Sequence, residues 1–106
     1  DVCSSDLNMF GIVSLKKEEP TGFMIGCLLE FPYSKDKFAK QLELYVVPKE
    51  RGKMTGIQMM KKFIDWSKIQ GAQEVIFDVS TQVGSFDKLA QRLGMEEIGK
   101  SYRKIL

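Results

Sequence analysis

Val46-Val47-Pro48-Lys49-Glu50-Arg51-Gly52-Lys53-Met54-Thr55-Gly56 is the stretch on which the fold turns. The apolar, β-favouring run from Leu42 to Val47 stops at Pro48, which has no N–H for a continuing ladder. A basic loop carrying Gly52 follows, and helix-period patterning starts at Thr55. A strand, a tight loop and a helix N-terminus in that order gather unpaired backbone N–H groups at the positive end of a helix dipole. Such a junction favours an anion, and phosphate is its usual occupant. Lys49, Arg51 and Lys53 reinforce the sign.

The helix that leaves this loop is expected over residues 55–70. Thr55 is a fitting N-cap and Gly71 a fitting stop. Ile57, Met60 and Ile64, with Met59, Phe63 and Trp66, make a broad apolar stripe that reads as core. Gln58, Lys61, Lys62, Asp65 and Lys68 fall on the other side. Residues 41–47 and 74–80 read as strands on either side of the helix, which makes a βαβ unit with parallel strands. Ligands of such units sit at the carboxyl ends of the strands, here residues 48–56.

Towards the N-terminus, residues 10–15 alternate loosely and residues 22–31 form a long apolar run. They read as a hairpin whose second strand is central and covered on both faces. Residues 16–21, with Pro20, read as a turn, and residues 32–40 as a polar loop. Towards the C-terminus, Ser85 caps a short helix at 86–93 that Gly94 stops. Residues 95–98 and 102–105 read as terminal strands. The fold class expected is α/β, of the α+β mixed-sheet kind, with a central mixed sheet flanked by helices.

Composition narrows the classes of function. The 106 residues suit one domain, and 43% apolar content supports a modest core. The chain has no histidine, which excludes a histidine general base, a Ser-His-Asp triad and histidine metal sites; no metal is expected. No apolar run reaches the roughly 18–20 residues of a membrane span. Residues 1–7, Asp-Val-Cys-Ser-Ser-Asp-Leu, back-translate to the end of a common sequencing adapter. They are expected to be a non-native tail, with residues 8–106 a single truncated domain; a natural polar tail is the other reading. Resequencing across the 5′ junction separates the two. Without Asp1 and Asp6 the formal charge rises from +2 to +4. Cys3 also drops out, and Cys27 alone reads as a small core hydrophobe in a reducing, cytoplasmic setting.

The loop and the order of elements resemble the GCN5-related N-acetyltransferase (GNAT) superfamily. Its acyl-CoA loop follows Gln/Arg-x-x-Gly-x-Gly/Ala. Arg51 matches the first position and Gly56 the last, and Met54 replaces the first glycine. Leu93-Gly94-Met95 resembles the family's Leu-Gly-Phe ending. The resemblance covers residues 10–106. It implies a GNAT-like core that lacks the family's first strand and two helices, which commonly form the acceptor side. Compact chains of this kind occur in bacteria and their phages.

The resemblance also implies roles. Backbone groups of Gly52, Lys53, Met54, Thr55 and Gly56 would cradle the CoA pyrophosphate, with Arg51 leading the loop. Main-chain groups of Val46 and Val47 would pair with pantetheine. From their placement on the short helix, and not from the resemblance, Lys88 and Arg92 are expected to approach the adenosine 3′-phosphate. Acetyl-CoA is the implied co-substrate and a primary amine the acceptor. Glu43 is the candidate base and Tyr102 the candidate acid, with Tyr45 and Ser80 behind it. Ala90 stands where the family often has its tyrosine acid, and Val83 where it often has an asparagine. A GNAT-fold binding module that is weak or inactive in transfer is therefore the alternative. A homodimer is compatible with the sequence. A nucleic-acid binder fits less well, because there is no dense basic stripe or stacking platform. Plainer readings stand beside these: Arg51-Gly52-Lys53 as a solvated turn, Glu43 as an exposed strand carboxylate, Tyr102 as a packing residue, and Lys16-Lys17 and Lys61-Lys62 as solvated faces.

Overall fold

A computed structural model of the chain describes residues 2–5 (backbone), 8–51, 53–77, 91–98, 102 and 104–106. Five strands form one sheet in sequence order: β1 (Val2–Ser5), β2 (Met9–Lys16), β3 (Glu19–Glu30), β4 (Lys37–Val46) and β5 (Ala72–Ile76). The first four pair antiparallel, and β4 pairs parallel with β5. Helix α1 (Thr55–Ile69) makes the crossover between β4 and β5, so the βαβ unit forms as the sequence implies. The result is the mixed sheet expected.

α1 packs on one face of the sheet. Its Met59, Met60, Phe63 and Trp66 meet Phe10 and Ile12 of β2, Met24 and Leu28 of β3, and Ala39 of β4. These side chains are buried because each lies on the inward stripe of its element, every second residue in β2 and every third or fourth in α1. Phe10, Phe63 and Trp66 form a ring cluster in which Phe63 and Trp66 stack and Phe10 is tilted to both, with Phe77 edge-on to Phe63. Ser67, inside this stripe, donates its hydroxyl to the Phe63 carbonyl one turn back, 2.7 Å away. Cys27 is free and buried, as a small hydrophobe would be.

Several details depart from the sequence expectations. β3 is central, and among the described residues Ile25 and Leu29 remain exposed on its face opposite the helix, while Cys27 is buried. β4 starts at Lys37, inside the stretch expected as a loop, because its partner β3 runs on to Glu30. The N-cap of α1 is Met54, not Thr55, and it has no side-chain capping bond. The residues described at 95–98, 102 and 104–106 carry no strand. Gly71 does end α1, at φ +82°, a conformation that glycine adopts without penalty. The helix expected at 86–93 is described only at its last residues, and strand residues 78–80 lie outside the described part. No helix among the described residues is long and apolar enough to cross a membrane.

Candidate functional site

β4 holds a bulge. The register with β3 moves from Ile25↔Glu43 to Gly26↔Gln41, so Leu42 is the extra residue on β4. Before the bulge Ala39 and Gln41 face inward; after it Leu44 and Val46 do. Simple strand alternation would set Glu43 on the face opposite both Leu42 and Leu44. The bulge instead leaves Leu42 and Glu43 side by side and exposed. Among the described residues, pairing with β5 ends at Lys40↔Ile76, while β4 runs on to Val46. Glu43, Tyr45 and Val46 thus lie on the stretch of β4 that leads into the basic loop.

The loop opens with a 3₁₀ turn, Pro48–Glu50. Val47 N–H donates to the Thr21 carbonyl and the Val47 carbonyl accepts from Glu50 N–H, both at 2.9 Å. Val47 is therefore engaged on both sides. Arg51 N–H reaches the Pro48 carbonyl at 3.3 Å and Lys53 N–H the Glu50 carbonyl at 3.4 Å. α1 then begins with no capping side chain and no acidic residue in its first turn. Its opening amides carry the positive end of the helix dipole, with no carboxylate of their own turn to neutralise them. Met54 sits at φ −79°, so the replacement of a glycine there costs no left-handed strain. A Cβ placed on Gly56 would lie 3.7 Å from Val46 Cγ2, which sets the start of α1 directly against the end of β4.

The structure brings part of the expected set together. Val46, Val47, Arg51, Lys53, Met54, Thr55 and Gly56 gather at the carboxyl end of β4. Gly52 and Lys88 lie outside the described residues. Arg92 is exposed near the C-terminal segment. Tyr102 is 89% exposed, so no packing fixes its phenol. Arg51 does not point along the loop. It folds back so that its Nε donates to the Val46 carbonyl at 2.9 Å, with its guanidinium 5.6 Å from the Tyr45 ring centre.

Glu50 is a site residue that the sequence did not single out. It is 5% exposed, and its carboxylate lies 3.4 Å from Lys16 Nζ and 3.6 Å from Lys53 Nζ. Burying a carboxylate is costly unless cations accompany it, and two do here. Glu50 therefore ties the β2–β3 turn to the loop. Between its basic neighbours Lys49 and Arg51 it reads as a surface residue, and only the hairpin folding over it reveals the burial.

No family model matches the chain, and no curated protein matches it in sequence. Solved structures do. A transcriptional regulator from Bacillus halodurans superposes with TM-score 0.82 at 19% identity, over 95% of this chain and 68% of its own. An aminoglycoside N-acetyltransferase in complex with CoA gives 0.77 at 20% identity, over 96% and 79%. A ribosomal-protein-alanine N-acetyltransferase from Brucella melitensis gives 0.74 at 16%, over 95% and 73%. The chain spans about two thirds of the first of these structures and somewhat more of the other two. Likeness at this identity speaks for architecture, and one architecture serves several functions. The fold of this chain is that of the GNAT acetyltransferases.

Proposed function

We propose that the chain is an N-acetyltransferase of the GNAT type that moves an acetyl group from acetyl-CoA to a primary amine within a ternary complex. The observation that carries this is the junction of β4 and α1. The helix opens without a side-chain cap or acidic first turn, packed against Val46, inside a fold shared with a CoA-bound acetyltransferase. The opening amides of α1, from Met54 to Gly56, with Gly52 and Lys53, take the pyrophosphate. Val46 pairs with the pantetheine arm; Val47, already bonded to Thr21 and Glu50, supports the turn. The Val46 carbonyl is held by Arg51, so pairing there turns the Arg51 side chain out, which carries its charge towards the bound phosphates.

The reaction needs little from the protein beyond placement. The neutral amine attacks the thioester carbonyl carbon and forms a C–N bond. The tetrahedral intermediate collapses, the C–S bond breaks, and CoA leaves as thiolate. The ammonium proton passes to Glu43, directly or through water, and the thiolate takes up a proton from Tyr102 or water. Holding amine and thioester together supplies much of the rate. The placing of Glu43 beside the bulge, on the exposed face of β4, supports its role as base.

Thermal unfolding with and without acetyl-CoA tests this reading. At about 100 times its dissociation constant, acetyl-CoA should stabilise the chain by about 2.7 kcal/mol, and adenosine should do nothing. A melt that does not move with acetyl-CoA would remove the proposed site. A melt that moves, with no acetyl transfer to any amine in a broad panel, would leave a CoA-binding module.

A further inference from the structure

A cavity of about 360 Å³ lies between the tip of the β2–β3 hairpin and the loop after β4. Lys16, Lys17 and Glu19 line it from the hairpin, Thr21 from β3, and Lys49, Glu50 and Lys53 from the loop. Its volume falls within the range of small-ligand clefts, roughly 300–1,000 Å³. Four lysines face two glutamates here. Glu50 is consumed by Lys16 and Lys53. Lys17 and Lys49 have no carboxylate partner among the described residues. Glu50 sets one negative charge against the two of Lys16 and Lys53, and Glu19 sets one against the two of Lys17 and Lys49, so the lining keeps a net charge of +2.

Two features hold this lining in place. The hairpin turns through Lys17 and Glu18, both in the left-handed region at φ 52° and 66°. A two-residue turn of this kind normally takes asparagine, aspartate or glycine. Two long charged residues kept there are under strain, and such strain gathers at functional sites. The second feature is the Glu50 bridge, which clamps that hairpin to the loop that starts α1. The cavity therefore adjoins the proposed pyrophosphate loop on its β3 side.

We propose that this cavity is a subsite for a phosphate dianion, with Lys17 and Lys49 as its direct contacts and Glu50 as the residue that positions Lys16 and Lys53. On the acyl-CoA reading, on which this assignment rests, the occupant is the 3′-phosphate at the adenosine end of CoA, held by Lys17 and Lys49 in place of the Lys88 and Arg92 expected from the sequence. A free phosphate-bearing ligand is the other source of the same chemistry.

Calorimetric titration of the full chain with CoA and with dephospho-CoA, which lacks that phosphate, tests the assignment. Lys17→Asn with Lys49→Gln is the informative variant, since asparagine tolerates a positive φ. Lys61→Gln with Lys68→Gln on the exposed side of α1 removes the same net charge elsewhere. The wild type should bind CoA about tenfold more tightly than dephospho-CoA, the scale of one charge-assisted contact. The cavity variant should lose that preference and keep its affinity for dephospho-CoA; the helix variant should keep both. Inorganic phosphate, followed by amide shifts at Lys17 and Lys49, forms a separate arm. Equal binding of CoA and dephospho-CoA, with phosphate shifts that vanish in the cavity variant, would assign the cavity to a free phosphate ligand. Equal binding without such shifts would overturn the subsite and leave the acyl-CoA reading intact. If neither CoA form binds, the acyl-CoA reading falls, and the phosphate arm alone decides the cavity.

Discussion

Phe63→Ala is expected to destabilise the chain by about 3–5 kcal/mol, the range for emptying a buried aromatic site. Phe63 is fully buried at the centre of the helix–sheet interface. Its ring centre lies 5.4 Å from that of Phe10, 5.8 Å from that of Trp66 and 5.8 Å from that of Phe77. Truncation thus removes apolar burial and three ring contacts, each worth about 0.5–1.5 kcal/mol beyond area. It also opens a void that packed elements close only in part. A small domain has about 5–15 kcal/mol to lose, so this single change consumes much of it. Trp66 is the chain's single tryptophan and packs on Phe63, which makes its fluorescence the natural probe of urea unfolding. If the alanine variant is unfolded from the outset, Phe63→Leu keeps the experiment readable, with a smaller loss of about 1–2 kcal/mol. A midpoint for Phe63→Ala within experimental error of the wild type would show that α1 does not pack on the sheet as described.

The sequence revealed the helix, the β2–β3 hairpin and the strand–loop–helix junction because each has a local signature. Met59, Met60, Phe63 and Trp66 recur with helical spacing, and Pro48 and Gly71 punctuate the chain at the observed boundaries. The missed features share a different cause. The bulge at Leu42 leaves no mark in the alternation of β4, because it is defined only by the register against β3. Val2–Ser5 pairs with β2 through backbone groups that any sequence supplies, so no pattern announced β1. Thr55 has a good capping side chain, yet the helix starts one residue earlier than a Thr55 cap would set it. The lysine-rimmed cavity is the plainest case. Lys16 and Lys17 read as a solvated pair and Lys49 and Lys53 as a basic loop. Their meeting around Glu50, more than thirty residues along the chain from Lys16, is a product of sheet topology. Catalysis was the least legible part. Glu43 and Tyr102 belong to no short sequence motif, and no residue in the sequence names the acceptor.

Gly26→Ala should be costly as well, for the opposite physical reason. A Cβ on Gly26 would stand 2.3 Å from Cε1 and 2.4 Å from Cζ of Phe63, closer than real carbon atoms approach. The obstacle is a ring enclosed by Phe10, Trp66 and Phe77, so it has no free rotamer to take up. Overpacking of this kind costs about 1–3 kcal/mol, and here it falls where β3 pairs across the bulge in β4. Gly71 offers the contrast. It has nothing within 4 Å of its Cβ position, and its φ of +82° alone penalises alanine. If the Phe63 collision is the cause at Gly26, the two sites must be coupled. The double variant Gly26→Ala with Phe63→Leu should be more stable than the sum of the single losses predicts, by about 0.5 kcal/mol or more. Strict additivity would mean that the alanine methyl is accommodated by a shift of β3. In that case the close fit between Gly26 and Phe63 is not what fixes the distance between helix and sheet. A coupled result would identify the absence of a side chain at Gly26 as the reason α1 sits low enough on the sheet for its N-terminus to meet the end of β4.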